Sequence, residues 1–261
     1  MPCLRSHALQ TLLIPSAEDK AQALLNWPQT LALGVEGRWP EPQGLPGRSE
    51  RPRLLPPQQV PMRGVGSLLG RAGLIHALAH IEANAMDLAL DALWRFPDMP
   101  EAYYLDWLKV AREEALHFRL LHEHLQGLGF SYGDFDAHEG LWDMARRTRS
   151  DLLARLAVVP RVLEARGLDA SPALAHKLRS AGDRRGSEII DLILKDEIGH
   201  VAIGNHWFGW LCQARGLNPI EQHRRLTAQY GAPLPKGPLN KAARLAAGFS
   251  EAELAELERQ D

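Results

Sequence analysis

Two Glu-x-x-His motifs, Glu114-Ala-Leu-His117 and Glu197-Ile-Gly-His200, are each preceded by a further glutamate at nearly the same distance. Glu82 lies 32 residues before Glu114, and Glu164 lies 33 residues before Glu197. Residues three apart share a helix face, so each motif aims a carboxylate and an imidazole at one point. With 18 Glu and 11 His among 261 residues, such pairs also arise by chance, so the signal is the matched doubling rather than either motif. A turn centred on Asp98 stands 16 residues from both Glu82 and Glu114. At ~1.5 Å rise per residue, two antiparallel helices then carry both carboxylates to the same height. The neighbours of Glu82 (Leu78, Ala79, Ala85, Met86, Ala89) are apolar. A lone carboxylate in that stripe is costly unless it is paired or bound to a metal.

The rest of the pattern is helical. Apolar residues recur at spacings of three and four from Leu68 to Phe96, and Phe96-Pro97-Asp98-Met99-Pro100 stops the run. Tyr103–Leu128 reads as a second helix, ended by Gly127 and Gly129. Phe130–Gly140 reads as a loop. A third helix is expected over Leu141–Arg166, kinked at Pro160, interrupted by Gly167–Pro172 and resumed as a short helix over Ala173–Ala181. A fourth covers Arg184–Ala214, and a last one lies near Glu251–Glu258. Period-two β-branched runs are missing, so the class is all-α.

Before these helices, residues 1–35 hold one or two short helical patterns, with Ser16 as an N-cap. Residues 37–61 are dense in Pro and Gly, which excludes a helix or a central strand and leaves a linker or an ordered extended arm. The expected organisation is an N-terminal helical and Pro-rich extension (1–64), a four-helix body (65–216) and a C-terminal tail packed on that body (217–261).

Glu82, Glu114, His117, Glu164, Glu197 and His200 form the ligand set of di-iron and di-manganese carboxylate bundles: one Glu from each of two helices and Glu-x-x-His from each of the other two. Four carboxylates and two imidazoles suit two iron ions, with manganese or a mixed iron/manganese pair as alternatives. Four carboxylates also balance four positive charges. Glu113 and Asp196 each precede a motif glutamate. They read either as solvated acids or as carboxylates that accept a hydrogen bond from the ligand histidine of the other motif, fixing its tautomer. His76 and His80 read as packing or surface residues, because His80 lies far around the helix from Glu82. Five tryptophans at helical spacing (Trp94, Trp107, Trp142, Trp207, Trp210) read as core. Gly199 and Gly204 beside His200 leave two readings, a substrate pocket or close helix packing.

Composition removes other classes. Thirty Lys+Arg against 32 Asp+Glu give a net charge of −2, so no global field favours nucleic acid or an anionic membrane. The arginine clusters Arg146-Arg147-Thr148-Arg149, Arg184-Arg185 and Arg224-Arg225 all have acids nearby. Cys3 and Cys212 cannot build a disulfide scaffold or a Cys-rich metal site. Leu12–Ile14 is too short for a signal peptide, and no stretch nears the ~20 apolar residues of a spanning helix, so a cytoplasmic location is expected.

The runs His76-Ala-Leu-Ala-His80-Ile-Glu82, Glu113-Glu114-Ala-Leu-His117-Phe-Arg119, Val159-Pro160-Arg161-Val-Leu-Glu164-Ala-Arg166-Gly167 and Asp196-Glu197-Ile-Gly-His200-Val-Ala-Ile-Gly-Asn205 resemble bacterial ferritin-like proteins known only as a domain of unknown function. The resemblance covers most of the chain from about residue 60. It implies a ferritin-like four-helix bundle with a dinuclear centre and supplies no reaction. More distantly, the pattern is similar to tRNA-hydroxylating, quinone-hydroxylating and multicomponent monooxygenase members of the same superfamily. The expected function is therefore a di-iron oxidoreductase that activates dioxygen to hydroxylate or otherwise oxidise an organic substrate. No catalytic residue beyond the metal ligands is expected. The alternative is metal handling: ferroxidase, storage or peroxide removal. The implied partners are dioxygen or peroxide, a small-molecule or RNA-linked substrate and an electron donor. No flavin, nicotinamide or iron–sulfur motif identifies that donor. A homodimer is compatible with this reading.

Overall fold

Alternating stretches of helix-forming residues and Pro/Gly breaks give an all-helical chain, in which the described residues form no β-strand. The computed structural model describes residues 3–28, 32–61, 63–235 and 237–259. Two units make up the structure: residues 1–142 with 181–189, and residues 143–180 with 190–261.

The first unit contains α1 (Leu4–Leu12), α2 (Ala17–Leu25), α3 (Leu68–Arg95) and α4 (Glu101–Gly127). Ser16 caps α2 as its sequence predicts, accepting the Asp19 N–H at 3.1 Å. Long apolar faces on α3 and α4 pack into an antiparallel hairpin whose core includes Ile75, Ala79, Met86, Leu90, Tyr103, Tyr104, Phe118 and Leu121. The turn between them is pinned rather than loose. Asp98 adopts φ 60°, a left-handed conformation that Asp tolerates better than most residues. Tyr104 donates its hydroxyl to Phe96 O at 2.9 Å and accepts the Met99 N–H at 3.1 Å.

The Pro-rich segment is the ordered arm, not a linker. The carbonyls of Gly34 and Val35 just before it, and of Gly37 at its start, accept from the buried guanidinium of Arg5, which also donates to Leu93 O and Trp94 O at the end of α3. Five donors on one planar group let a single arginine tie the arm to the helix. Farther along, Gly47 N–H donates to Leu12 O at 2.9 Å. Leu55 N–H donates to Ala137 O at 2.8 Å and Ala137 N–H to Arg53 O at 3.0 Å, so Leu54 and Ala137 form a parallel bridge.

The second unit contains most of α5 (Gly140–Arg147), then α6 (Leu152–Val158), a π-helical turn (Val159–Glu164), α7 (Ala165–Ser180), the greater part of α8 (Arg184–Ala214), α9 (Pro219–Tyr230), α10 (Lys241–Ala246) and α11 (Glu251–Glu258). Ala165, Leu168, Val201, Ala247, Phe249 and Leu254 form its core. Here the expected third helix needs correction. Its break falls at 148–151, where Asp151 accepts the Leu153 and Ala154 N–H groups and starts α6. Gly167–Pro172 does not interrupt: α7 runs straight through Pro172. Proline removes the N–H that would reach the Leu168 carbonyl. Asn240 Nδ2 supplies that bond instead, at 3.1 Å, and Ser171 Oγ donates to Gly167 O at 2.7 Å. The distortion expected at Pro160 is present as the π turn that ends at Glu164.

Gly204 on α8 is the close-packing reading, not a pocket. A Cβ there would lie 2.4 Å from Pro160 Cβ. Trp94, Trp107, Trp142 and Trp207 are core, and Trp210 is 37% exposed.

Candidate metal centre

The buried face of α3 places Glu82 among Ala79, Ala83, Ala85 and Met86, and α4 presents Glu114 and His117 from one face. All three side chains are buried. His117 Nδ1 stands 3.2 Å from Glu82 Oε2 and 3.4 Å from Glu114 Oε2. Each of the three residues offers a ligand atom, and these atoms lie within 4.8 Å of one another.

Charge explains what this trio does. Burial, and then the negative charge of Glu114, push the Glu82 carboxyl well above the usual carboxylate range. For His117, burial acts to lower the pKa. The hydrogen bonds and charges of Glu114 and Glu82 outweigh it and raise the pKa to about 11. Both shifts say that two carboxylates in an apolar hairpin hold excess negative charge and draw positive charge between them. A divalent cation meets that demand, and carboxylate oxygen with imidazole nitrogen is a donor set for zinc, iron or manganese. The cluster can therefore bind a metal ion. The ring atom turned to the carboxylates is Nδ1.

The second unit repeats the arrangement on α8. Glu197 and His200 are buried, and His200 Nδ1 again faces its motif glutamate, with Glu197 Oε1 at 3.6 Å. Glu164 is half-buried at the last position of the π turn. Glu113 pairs with Lys109 at 2.7 Å, one turn away on α4, and Asp196 is half-buried on α8.

His76 and His80 are packing residues. His76 Nε2 accepts the Gly133 N–H at 3.0 Å. His80 bonds to the Tyr132 hydroxyl at 2.8 Å and to His138 O at 3.0 Å. Burial lowers their pKa values to about 4 and about 3, so both rings are neutral at pH 7.

Other buried charges escape sequence reasoning. Lys20 and Asp87 form an ion pair inside the first unit. Arg161, on the π turn, is buried with Asn205, Glu253, Phe208 and Phe249 around it. The partners are 67 and 92 residues apart in the two ion pairs, so local spacing carries no trace of either. Only the apolar company of Asp87 hints that it needs a counter-charge.

A family model described as "Protein of unknown function (DUF455)" matches residues 13–255. A protein of Haemophilus influenzae, described as an uncharacterized protein, is 49% identical over 212 residues, covering 78% of this chain and 74% of the relative. No solved structure matches.

Proposed function

The chain belongs to the DUF455 family of proteins of unknown function, so its activity has to be read from its own residues, and we propose that it is a di-iron carboxylate oxidoreductase that activates dioxygen to oxidise an organic substrate. The observation that carries this reading is the buried Glu82–Glu114–His117 trio, whose ligand atoms lie within 4.8 Å of one another. Glu164, Glu197 and His200 repeat its chemistry in the second half of the chain. In this reading the six residues close around one dinuclear centre in a ferritin-like four-helix bundle. Manganese or a mixed iron/manganese pair fits the same donors.

Bound redox-active ions would supply electrons for the reduction of dioxygen. The chain's own residues do the rest. The four glutamates match the charge of two divalent ions, so loading the centre leaves little net charge in the apolar interior. His117 and His200 offer Nδ1, and the short Glu-x-x-His spacing holds each ring beside its own carboxylate. Ala79, Ala83, Ala85, Met86 and Phe118 keep bulk water away from Glu82, Glu114 and His117. In this reading Glu113 and Asp196 support the ligand histidines from behind, and a small-molecule or RNA-linked group is the substrate.

Metal analysis of the purified protein, followed by oxygen uptake after anaerobic reduction, tests the proposal. Two iron or manganese ions per chain and uptake above a chelator-treated control are expected. Failure to retain either metal after reconstitution would overturn it. Oxygen or peroxide consumed only in proportion to added ferrous iron would instead assign metal handling.

A further inference from the structure

On the side of α3 away from Glu82, the Pro-rich arm and the start of α2 roof a cavity of about 240 Å³ within the first unit. Its floor is built from buried groups: Lys20, Asp87, His80 and Ala83. Tyr132, Arg48, Ser49, Arg51, Glu18 and Ser16 complete the walls and rim.

The lining as a whole carries more positive than negative charge. Asp87 is the one carboxylate on the floor, and Lys20 beside it and Arg48 in the wall share it. Lys20 Nζ pairs with Oδ1, and Arg48 stands 3.5 Å from Oδ2. Arg48 also donates to Asn84 Oδ1 at 2.9 Å, and its side chain keeps 22% exposure. His80 is tied into the wall by the Tyr132 hydroxyl, 2.8 Å from its Nδ1. At the rim, Arg51 is exposed and makes no ion pair among the described residues. Glu18 offsets one rim charge; it accepts the Ser16 hydroxyl at 3.1 Å and lies 3.8 Å from His122. Three cations therefore face two carboxylates. The N-terminus of α2, nine residues long, adds its positive end through Ser16 and Ala17.

We infer that this cavity is a binding site for a small oxyanion ligand, an organic carboxylate or phosphate, held by Arg48 and Arg51 above the Lys20–Asp87 pair. One anionic group balances the surplus cation. The inference stands apart from the metal reading. Glu82 is two residues from His80 and points to nearly the opposite side of α3.

The test is calorimetric titration of the full chain with inorganic phosphate and, separately, acetate, at ionic strength held constant with chloride. Saturable single-site binding with a Kd of about 1 mM or tighter is expected for at least one of the two. Phosphate binding would point to a phosphorylated ligand, and acetate binding to a carboxylate; either supports the site. Arg48→Gln should weaken binding about tenfold, the scale of one charge-assisted hydrogen bond. Arg51→Ala, at an exposed position, should weaken it several-fold. No saturation by either anion would overturn the inference, as would affinities unchanged in both variants.

Discussion

Gly204→Ala and Gly209→Ala make the same chemical change five residues apart on α8, and the structure gives them opposite outcomes. Alanine is favoured over glycine in a helix interior by ~0.8–1.0 kcal/mol. At Gly209 an added Cβ meets nothing within 4 Å, so that gain should appear almost whole. At Gly204 the Cβ would sit 2.4 Å from Pro160 Cβ and 2.6 Å from its Cγ. Carbon atoms pack comfortably at ~3.5–4.0 Å, so the contact is short by about 1 Å. Both Pro160 atoms belong to a ring with no rotamer to escape into, and the ring is held in the π turn. Overpacking of this kind costs ~1–3 kcal/mol. Set against the helix gain, Gly204→Ala should be destabilising by ~0–2 kcal/mol, and the two variants should differ by ~1–3 kcal/mol. Urea denaturation followed by circular dichroism, run in parallel at one pH and one metal state, measures that gap. If Gly204→Ala proves as stable as Gly209→Ala, the close approach of α8 to the π turn is wrong.

Glu114→Ala removes one of two buried carboxylates beside His117; metal content by elemental analysis should fall well below wild type while the helical signal persists, and undiminished metal binding would refute the assignment. Asn240→Ala removes the N-cap of α10 and the donor to the Leu168 carbonyl, so a loss of ~1–3 kcal/mol is expected on denaturation. Part of that loss should vanish in a Pro172→Ala background, where α7 regains its own N–H; identical losses in both backgrounds would refute the compensation. Burial lowers the pKa of His223 to about 3, against an ordinary value of 6.5. The folded state therefore binds fewer protons than the unfolded chain, and this contribution is complete above pH 6.5 and lost as pH falls towards 3. His223→Gln should flatten the acid side of the stability–pH curve by about one proton, and an unchanged slope would contradict a buried, neutral ring.

The chain showed its helices wherever the deciding interactions were local. Leu68–Arg95 and Glu101–Gly127 were legible because their apolar periodicity and the Phe96–Pro100 stop act within a few residues. The meeting of Glu82, Glu114 and His117 was legible for a related reason: equal distances from one turn set equal heights on a hairpin. The third helix misled because Pro172 looks like a break. Its lost hydrogen bond is replaced by Asn240, 72 residues from the carbonyl it serves. The Thr148–Asp151 break was passed over, although Asp151 is an ordinary N-cap signal.

The sequence by itself determined the all-helical class and the donor types of the buried Glu/His cluster, because helix period and donor type are properties of near neighbours. Tertiary structure alone decided whether the Pro-rich segment was a linker or an arm. That outcome depends on Arg5 finding carbonyls at 34, 35 and 37 together with those ending α3. It also decided that Asp87 would share Lys20 and Arg48 beneath a cavity. The partners in both cases come from distant parts of the chain. Desolvation makes such pairings strong only after the chain has folded, and so they leave no spacing to read beforehand.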